Sequence, residues 1–337
     1  MWNLYKIMFL NLTMIGTLIA ISSYNWLTMW IGLEINLMSI IPLFKSNKNI
    51  YPAEASIKYF ITQVMASAMI LFSIILSMNF NEFIPSLYNF WFMMILNSAL
   101  LMKMGAAPLH SWFPEVAEGL SWINNMILLT WQKLAPMILL MYNMNMPMFF
   151  SIIIIFSTMI SGILGLNQIS LRKIMAYSSI NHIAWMLASM LNFKMIWLIY
   201  FFIYSLISIN IMIIFNNLNI FILNQLFTTL TQNKMSKLFF MMNFLSLGGL
   251  PPFLGFLPKW LVIHNLILNN FFTLSLILII FTLVTLFFYL RIILSNLTIM
   301  MNETIIKNSK FNNYTLIFFN TFNMFGIFIC TAIFFML

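Results

Sequence analysis

Apolar runs about as long as a membrane is thick follow one another along nearly the whole chain. The first begin near Tyr5, Tyr24 and Pro52, and similar runs recur to the C-terminus with short polar segments between them. A helix needs about 20 apolar residues to cross a bilayer. We therefore expect an all-α integral membrane protein with about 11 transmembrane helices.

The composition agrees with a membrane protein that has almost no domain outside the membrane. Hydrophobic residues make up 63% and charged residues 6% of the 337 residues, whereas a soluble domain carries about 25% charged residues. We expect a single polytopic membrane domain over residues 1–337. The 31 Met and 36 Phe, with abundant Asn, are typical of an A+T-rich genome whose code reads an additional codon as Met. This usage favours a mitochondrial gene.

If the chain crosses the membrane about 11 times, nearly all the lysine and arginine residues outside the spans lie on one side of the membrane. The N-terminal side would hold Lys6, Lys45, Lys48, Lys58, Arg172, Lys173, Lys234, Lys237, Arg291, Lys307 and Lys310. Only Lys194 would lie on the other side. By the positive-inside rule, the N-terminus should lie on the side of synthesis, which is the matrix in a mitochondrion, and the C-terminus on the intermembrane-space side. Topology therefore explains the net charge of +9. No basic cluster is longer than Arg172-Lys173, so nucleic acid is not expected as a partner.

Residues 101–115 and 247–260 contain helix-breaking Gly and Pro residues at the same spacing. The offset between them is 144 residues (105 to 249, 108 to 252). The positions that we expect to interrupt helices are Gly105, Pro108, Pro136, Gly248, Gly249, Pro251 and Pro252. The two broken spans would cross the membrane in opposite directions.

Matched broken helices that run in opposite directions are typical of secondary transporters. We therefore expect an antiporter-like fold of two inverted five-helix repeats with discontinuous helices. The first half should comprise residues 24–143 and the second residues 149–295. A C-terminal transmembrane helix should follow over residues 314–336.

Four charged residues, Glu34, Lys103, Lys133 and Lys259, lie where lipid or protein interior is expected. A charge at the centre of a membrane helix costs about 3 kcal/mol on insertion scales, so four cost roughly 12 kcal/mol. We interpret them as proton-translocation residues, because small ionisable groups suit a proton. Two structural alternatives stay open: each charge could only fix helix packing, and Lys259 could extend to the membrane surface.

The two lysines of the first half each lie beside a carbonyl that a proline should leave without a donor. Pro108 has no N–H for the carbonyl of Met104, which follows Lys103, and Pro136 has none for Gln132, which precedes Lys133. His182, His110 and Glu115 are candidates for a proton relay because they are the further titratable groups near these spans. No metal ligand set, glycine-rich nucleotide motif or cysteine pair occurs, so we expect neither a metal nor a cofactor in this chain.

Six segments resemble the chain 2 family of NADH–ubiquinone oxidoreductase, an antiporter-like subunit of respiratory complex I that is encoded in mitochondria. They are WIGLEIN (30–36), AEASIKYFITQ (53–63), KMGAAPLHSWFPEV (103–116), LLTWQKLAP (128–136), LRKIMAYSSINHIAWM (171–186) and LSLGGLPPFLGFLPKW (245–260). The resemblance covers about residues 5–295, and the composition is similar to that of insect versions.

The resemblance implies a proton-translocating core subunit in the mitochondrial inner membrane. By position, Glu34 and Lys103 would form a glutamate–lysine pair and Lys133 would bridge laterally. Lys259 would serve the second half-channel, and His182 would connect the halves. FMN, iron–sulfur clusters and ubiquinone would be held by other subunits, so this chain alone is not expected to be an oxidoreductase. The implied partners are other membrane-arm and accessory subunits and membrane lipids, with cardiolipin as a candidate.

Two other functions remain compatible with the residues alone. The chain could be a stand-alone cation/proton antiporter of the Mrp type, although the absence of any Asp disfavours a dedicated sodium site. It could also be a purely structural membrane subunit.

Overall fold

The computed structural model describes residues 4–45, 50–80, 87–230 and 234–298, together with the single positions 321 and 331. Over these ranges the chain is helical and contains no β-strand, apart from one isolated bridge between Ser170 and Ile222. The chain divides into two compact units, residues 1–146 and residues 147–337. The helix expected over residues 314–336 lies outside the described ranges.

Unit 1 begins with two helices that approach each other closely. Its helices are α1 (Leu4–Ser22), α2 (Trp26–Phe44), α3 (Tyr51–Phe80), α4 (Leu87–Met104), α5 (Trp112–Gly119), α6 (Trp122–Leu129) and α7 (Trp131–Tyr142). A Cβ at Gly32 would lie 2.6 Å from the backbone nitrogen of Ala20, and one at Gly16 would lie 2.9 Å from that of Asn36. The two glycines therefore let the backbones of α1 and α2 meet, which fixes α2 and its polar residues.

Unit 2 is built around a buried helix. Its helices are α8 (Pro147–Leu166), α9 (Leu171–Met190), α10 (Lys194–Leu218), α11 (Leu223–Leu230), α12 (Lys234–Gly248), α13 (Phe256–Leu268) and α14 (Phe272–Thr298). Helix α9 is buried along almost its whole length, because α8, α10, α13 and α14 pack around it. Polar side chains of α9 are therefore held in the interior of the unit.

Six of the described helices are long and apolar enough to cross a membrane. They are Leu4–Ser22, Trp26–Phe44, Tyr51–Met78, Pro147–Leu166, Lys194–Leu218 and Phe272–Leu294. Shorter apolar helices, Phe90–Met104, Lys237–Gly248 and Phe256–Leu268, border the two breaks. The chain is thus a multi-pass membrane protein, while the count of about 11 spans stays a prediction.

Both expected breaks in residues 101–115 and 247–260 are present, and glycine ends the helix in each. Gly105 and Gly249 both have φ = +76°, a conformation that glycine adopts without a steric penalty. The N–H of Gly105 donates to the carbonyl of Met102, and the next N–H donates to the carbonyl of Leu101. The same two hydrogen bonds recur at Gly249. This pattern is the Schellman motif, in which a left-handed residue satisfies the last carbonyls of a helix. A cis peptide bond precedes Pro108 and Pro252.

The break expected at Pro136 is not present there. Pro136 lies inside α7, which is helical on both sides of it, and the interruption lies earlier in the chain, at Thr130. A proline ring disturbs the turn on its N-terminal side, because it clashes with the carbonyl four residues before it. The N–H of Lys133 accordingly donates to the carbonyl of Thr130, three residues back, rather than four.

Candidate functional site

Lys103 lies in the last turn of α4, where its side chain reaches a small polar cavity in unit 1. The residue is only 7% exposed. The cavity has a volume of about 10 Å³, which is close to the space that one water molecule needs. The polar side chains that line it, besides Lys103, are those of Asn36, Tyr59, Gln63 and Gln132.

Asn36 of α2 and Gln132 of α7 form a reciprocal pair of amides at this cavity. The Nδ2 of Asn36 donates to the Oε1 of Gln132 at 3.0 Å, and the Nε2 of Gln132 donates to the Oδ1 of Asn36 at 3.2 Å. The Tyr59 hydroxyl also donates to the Oε1 of Gln132, at 3.4 Å. All three side chains are buried, so each hydrogen bond satisfies a group that water does not reach.

Neutral side chains satisfy the carbonyls beside the break of unit 1. The Nε2 of Gln63 donates to the carbonyl of Lys103, and the Nε1 of Trp112 donates to that of Met102, both at 3.2 Å. Carbonyls at a helix end have no partner within the helix, and the carbonyl of Met102 accepts the N–H of Gly105 as well. The ammonium of Lys103 therefore does not have to serve as that donor.

Glu34 of α2 is half-buried and close enough to Lys103 for the two charges to interact. Its Oε1 atom is buried without a hydrogen-bond partner in this structure. The same side chain borders an apolar groove of about 340 Å³, which Phe9, Trp30 and Met38 also line. Glu34 and Lys103 do not form an ion pair in this structure, and their pairing stays a prediction.

Lys133 is 1% exposed and lies on a different side of α7 from the cavity. Its Nζ lies 5.7 Å from the centre of the Phe113 ring, a cation–π arrangement. Phe113 in turn packs on the break, since a Cβ at Gly105 would lie 3.0 Å from its ring. The two buried lysines of unit 1 therefore border the same break through different contacts.

The polar contacts of His110 and Glu115 are made with groups other than the buried lysines. His110 is half-buried in the break, and its Nδ1 lies 3.2 Å from the carbonyl oxygen of Pro108. Glu115 is exposed and forms an ion pair of 2.9 Å with Lys58, which also pairs with Glu54 at 3.0 Å. Glu115 thus belongs to an exposed charge group that joins α3 and α5.

In unit 2, Lys259 reaches back from α13 to the end of α12. Its Nζ donates to the carbonyl of Gly248 at 2.7 Å and lies 5.8 Å from the centre of the Trp185 ring. A Cβ at Gly249 would lie 2.7 Å from the Cδ of Lys259, so glycine leaves the room that the lysine occupies. Lys259 is 7% exposed, which argues against the alternative that it extends to the membrane surface.

His182 of α9 lies beside the same break. Its Nδ1 is 2.9 Å from the hydroxyl of Tyr200, and its ring centre is 5.0 Å from that of Tyr204. A cavity of about 10 Å³ is lined by His182, both tyrosines, Ser246 and Pro258. His182 is therefore close to residues on both sides of the α12–α13 break.

Comparison with known proteins places the chain in a family. The family model described as "NADH:quinone oxidoreductase/Mrp antiporter, TM" matches residues 23–286. NADH-ubiquinone oxidoreductase chain 2 of Anopheles gambiae is 51% identical over 308 residues, which cover 90% of each chain. The protein of the same name from Aedes aegypti is 50% identical over 340 residues, 99% of this chain and 98% of the relative. The chain belongs to the NADH-ubiquinone oxidoreductase chain 2 family.

Solved structures show that this chain 2 family member has an antiporter-like membrane fold. A chain of respiratory complex I from Thermus thermophilus matches with a TM-score of 0.86 at 19% identity, over 96% of this chain and 78% of that one. A chain of the Mrp complex from Dietzia matches with a TM-score of 0.76 at 14% identity, over 84% of this chain and 59% of that one. At identities this low, the likeness shows a shared fold but does not show a shared function.

The sequence did not single out the neutral partners of the buried charges in this chain 2 family member. They are Asn36, Tyr59, Gln63, Phe113, Gln132, Trp185, Tyr200, Tyr204 and Ser246. Amides within apolar spans are a usable signal, since Asn36 and Gln132 lie within two residues of Glu34 and Lys133 in the sequence. The described residues contain no group of three or more His, Cys, Asp or Glu that could hold a metal.

Proposed function

We propose that the chain is a proton-translocating, antiporter-like subunit of the membrane arm of respiratory complex I. Relatives that are 46–51% identical over most of the chain carry the name NADH-ubiquinone oxidoreductase chain 2. On this proposal the protein spans the mitochondrial inner membrane with its N-terminus in the matrix and its C-terminus in the intermembrane space. FMN, iron–sulfur clusters and ubiquinone are then held by other subunits, and lipids and accessory subunits surround the chain.

The observation that carries the proposal is the placement of three buried lysines at two helix breaks. Lys103 and Lys133 border the break of unit 1, and Lys259 donates to the terminal carbonyl at the break of unit 2. Moving a proton against about 180 mV requires about 4 kcal/mol, or a pKa change of about 3 units. Buried lysines can change their pKa by about that amount when their contacts change.

Each unit supplies its own set of groups for this task. In unit 1, Lys103 or Lys133 stores the proton, and contact of Lys103 with Glu34 is made and lost in alternation. Lateral transfer then passes through His182, and the proton is released by way of Lys259 in unit 2. The identical glycine geometry at residues 105 and 249 supports two related halves, residues 24–143 and 149–295, as inverted repeats among about 11 spans.

The test is the number of protons pumped per NADH oxidised by the assembled complex. Lys103→Ala or Glu34→Ala should abolish or sharply lower this number, because a storage site or its counter-charge is lost. Lys58→Ala is the control, since Lys58 lies in the exposed charge group. Full stoichiometry in the Lys103 and Glu34 variants would reject the assignment.

The likeness to the Mrp complex motivates a second candidate, a stand-alone cation/proton antiporter. Sodium-dependent proton transport by the purified chain would support it. A purely structural role would instead be supported by full pumping after replacement of Lys103, Lys133 and Lys259 together.

A further inference from the structure

The amide pair of Asn36 and Gln132 forms part of the wall of the cavity beside Lys103. Asn36 and Gln132 exchange two hydrogen bonds, of 3.0 and 3.2 Å, and Tyr59 adds a third to the Gln132 oxygen. Both lone pairs of that oxygen are thus occupied by donors. Asn36 is 4% exposed, Tyr59 is 4% exposed and Gln132 is 9% exposed, so bulk water does not compete for these bonds.

Gln132 of the amide pair and Lys133 are neighbours on α7, but only Gln132 lines the cavity. Gln132 and Pro136, one turn apart, face the cavity. Lys133 follows Gln132 and points instead to the Phe113 ring. A primary amide neither gains nor loses a proton in the physiological range, in contrast to a lysine, a histidine or a water chain. At the cavity, the α7 side chain next to Lys133 in the sequence is therefore a group that does not carry a proton.

We propose that the reciprocal amide pair of Asn36 and Gln132 is a gate between the Lys103 cavity and Lys133. This inference rests on the proposed function of unit 1. The gate is closed while the amides bind each other. It opens when the Gln132 side chain leaves Asn36 and Tyr59, so that water enters the space between the lysines. Asn36 and Gln132 are positioning residues, because neither side chain carries the proton.

Two substitutions at Asn36 should change proton flow in opposite directions. Asn36→Ser removes both amide–amide bonds and leaves room for water, so the gate should stay open. In Asn36→Leu, the leucine side chain is similar in size to asparagine but has no polar atoms, so it should keep water out of the space between the lysines. The assembled complex is reconstituted in liposomes, and the passive proton conductance is measured alongside the protons pumped per NADH.

The two Asn36 variants should differ in passive proton conductance. Asn36→Ser should raise the passive conductance about 30-fold, which corresponds to about 2 kcal/mol at 1.36 kcal/mol per factor of ten. NADH oxidation should continue while fewer protons are retained. Asn36→Leu should lower the pumped protons without raising the conductance. A merely structural role of Asn36 would not produce a leak in one variant and a block in the other.

A swapped pair and a matched control separate the gate from general disruption. The double variant Asn36→Gln with Gln132→Asn rebuilds a reciprocal amide pair and should restore tight coupling. Asn97 is an equally buried asparagine of α4 that does not line the cavity, and it donates to the carbonyl of Asn143. Asn97→Ser and Asn97→Leu should leave the conductance unchanged.

A milder variant covers the case in which the Asn36 variants do not assemble. Tyr59→Phe keeps the ring contacts with Phe44 and Trp112 and removes one hydrogen bond to Gln132. It should raise the conductance by a smaller factor than Asn36→Ser. Unchanged conductance in Asn36→Ser and Tyr59→Phe, with pumping lost in Lys103→Ala, overturns the gate and leaves the proposed function in place. Full pumping in Lys103→Ala overturns the proposed function itself.

Discussion

The α4–α5 break and the α12–α13 break have the same backbone but receive their lysines from opposite sides. Gly105 and Gly249 have the same φ and the same pair of hydrogen bonds. Lys103, however, lies before its break, whereas Lys259 lies after its own. At the offset of 144 residues, the position of Lys103 is taken by Leu247 and that of Lys259 by Glu115.

The carbonyls at the two breaks are satisfied differently as a result. In unit 1 neutral donors, Gln63 and Trp112, bond the carbonyls of Lys103 and Met102. In unit 2 the ammonium of Lys259 itself bonds the carbonyl of Gly248. The charge is therefore part of the helix end in unit 2 and adjacent to it in unit 1. We infer that the glycine break is a common scaffold on which each unit places a lysine in its own way.

The largest expected loss of stability concerns a position at which only one of the two breaks has space for a side chain. A Cβ at Gly255 would collide with the carbonyl oxygen of Ser246, which also accepts the N–H of Gly249. The corresponding position of unit 1, residue 111, is an exposed serine. Gly255→Ser should thus destabilise the protein by about 3 kcal/mol or more, because backbone must move. Thermal unfolding of the purified protein measures the loss.

The reverse change in unit 1 is the control. Ser111→Gly should cost less than about 1 kcal/mol, the usual effect of a glycine near a helix. Equal losses in Gly255→Ser and Ser111→Gly would show that the two breaks have the same steric limits, contrary to the comparison.

The second prediction concerns the lysines themselves. Lys259→Met should destabilise the protein by about 1–2 kcal/mol, because the buried carbonyl of Gly248 loses its donor. Lys103→Met should be neutral or stabilising, since no carbonyl depends on its ammonium and a buried charge is removed. Both variants should lose pumped protons. Melting temperatures that fall equally in the two variants would contradict the distinction between the two helix ends.

The two glycine breaks could be predicted from the sequence, but the side chains around the buried lysines could not. Gly105 and Gly249 could be recognised because a left-handed helix end depends on local residue chemistry. The exposed position of Glu115 and its ion pair with Lys58 depend instead on how α5 packs beside α3. The amide pair joins residues 96 positions apart in the sequence. Neither hydropathy nor motif spacing reports such a contact, because it forms only when α2 and α7 are in place.

A third, smaller effect would sharpen the description of unit 1. Gln63→Met keeps the length of the side chain but leaves the carbonyl of Lys103 without its donor. The cost should be about 1 kcal/mol, the net value of a neutral hydrogen bond. If the ammonium of Lys103 then folds back onto the carbonyl of its own residue, unit 1 acquires a lysine–carbonyl hydrogen bond at its helix end, as unit 2 has between Lys259 and Gly248. The measurement is a double-mutant cycle of Gln63→Met with Lys103→Met, in which thermal unfolding should show a coupling between the two positions. Additive effects would mean that the lysine does not respond to the lost donor.

The smallest effect is expected at Glu115, the unit 1 counterpart of Lys259. Glu115 is exposed, in the first turn of α5, and paired with Lys58. Exposed ion pairs contribute little to stability, because water screens them. Glu115→Gln should therefore leave both the melting temperature and the protons pumped per NADH within experimental scatter of the parent protein. The matching change in unit 2, Lys259→Met, should lower both. If Glu115→Gln also stopped pumping, equivalent positions of the two breaks would share a function despite their different burial. The lysine would then no longer be the feature that separates the two units.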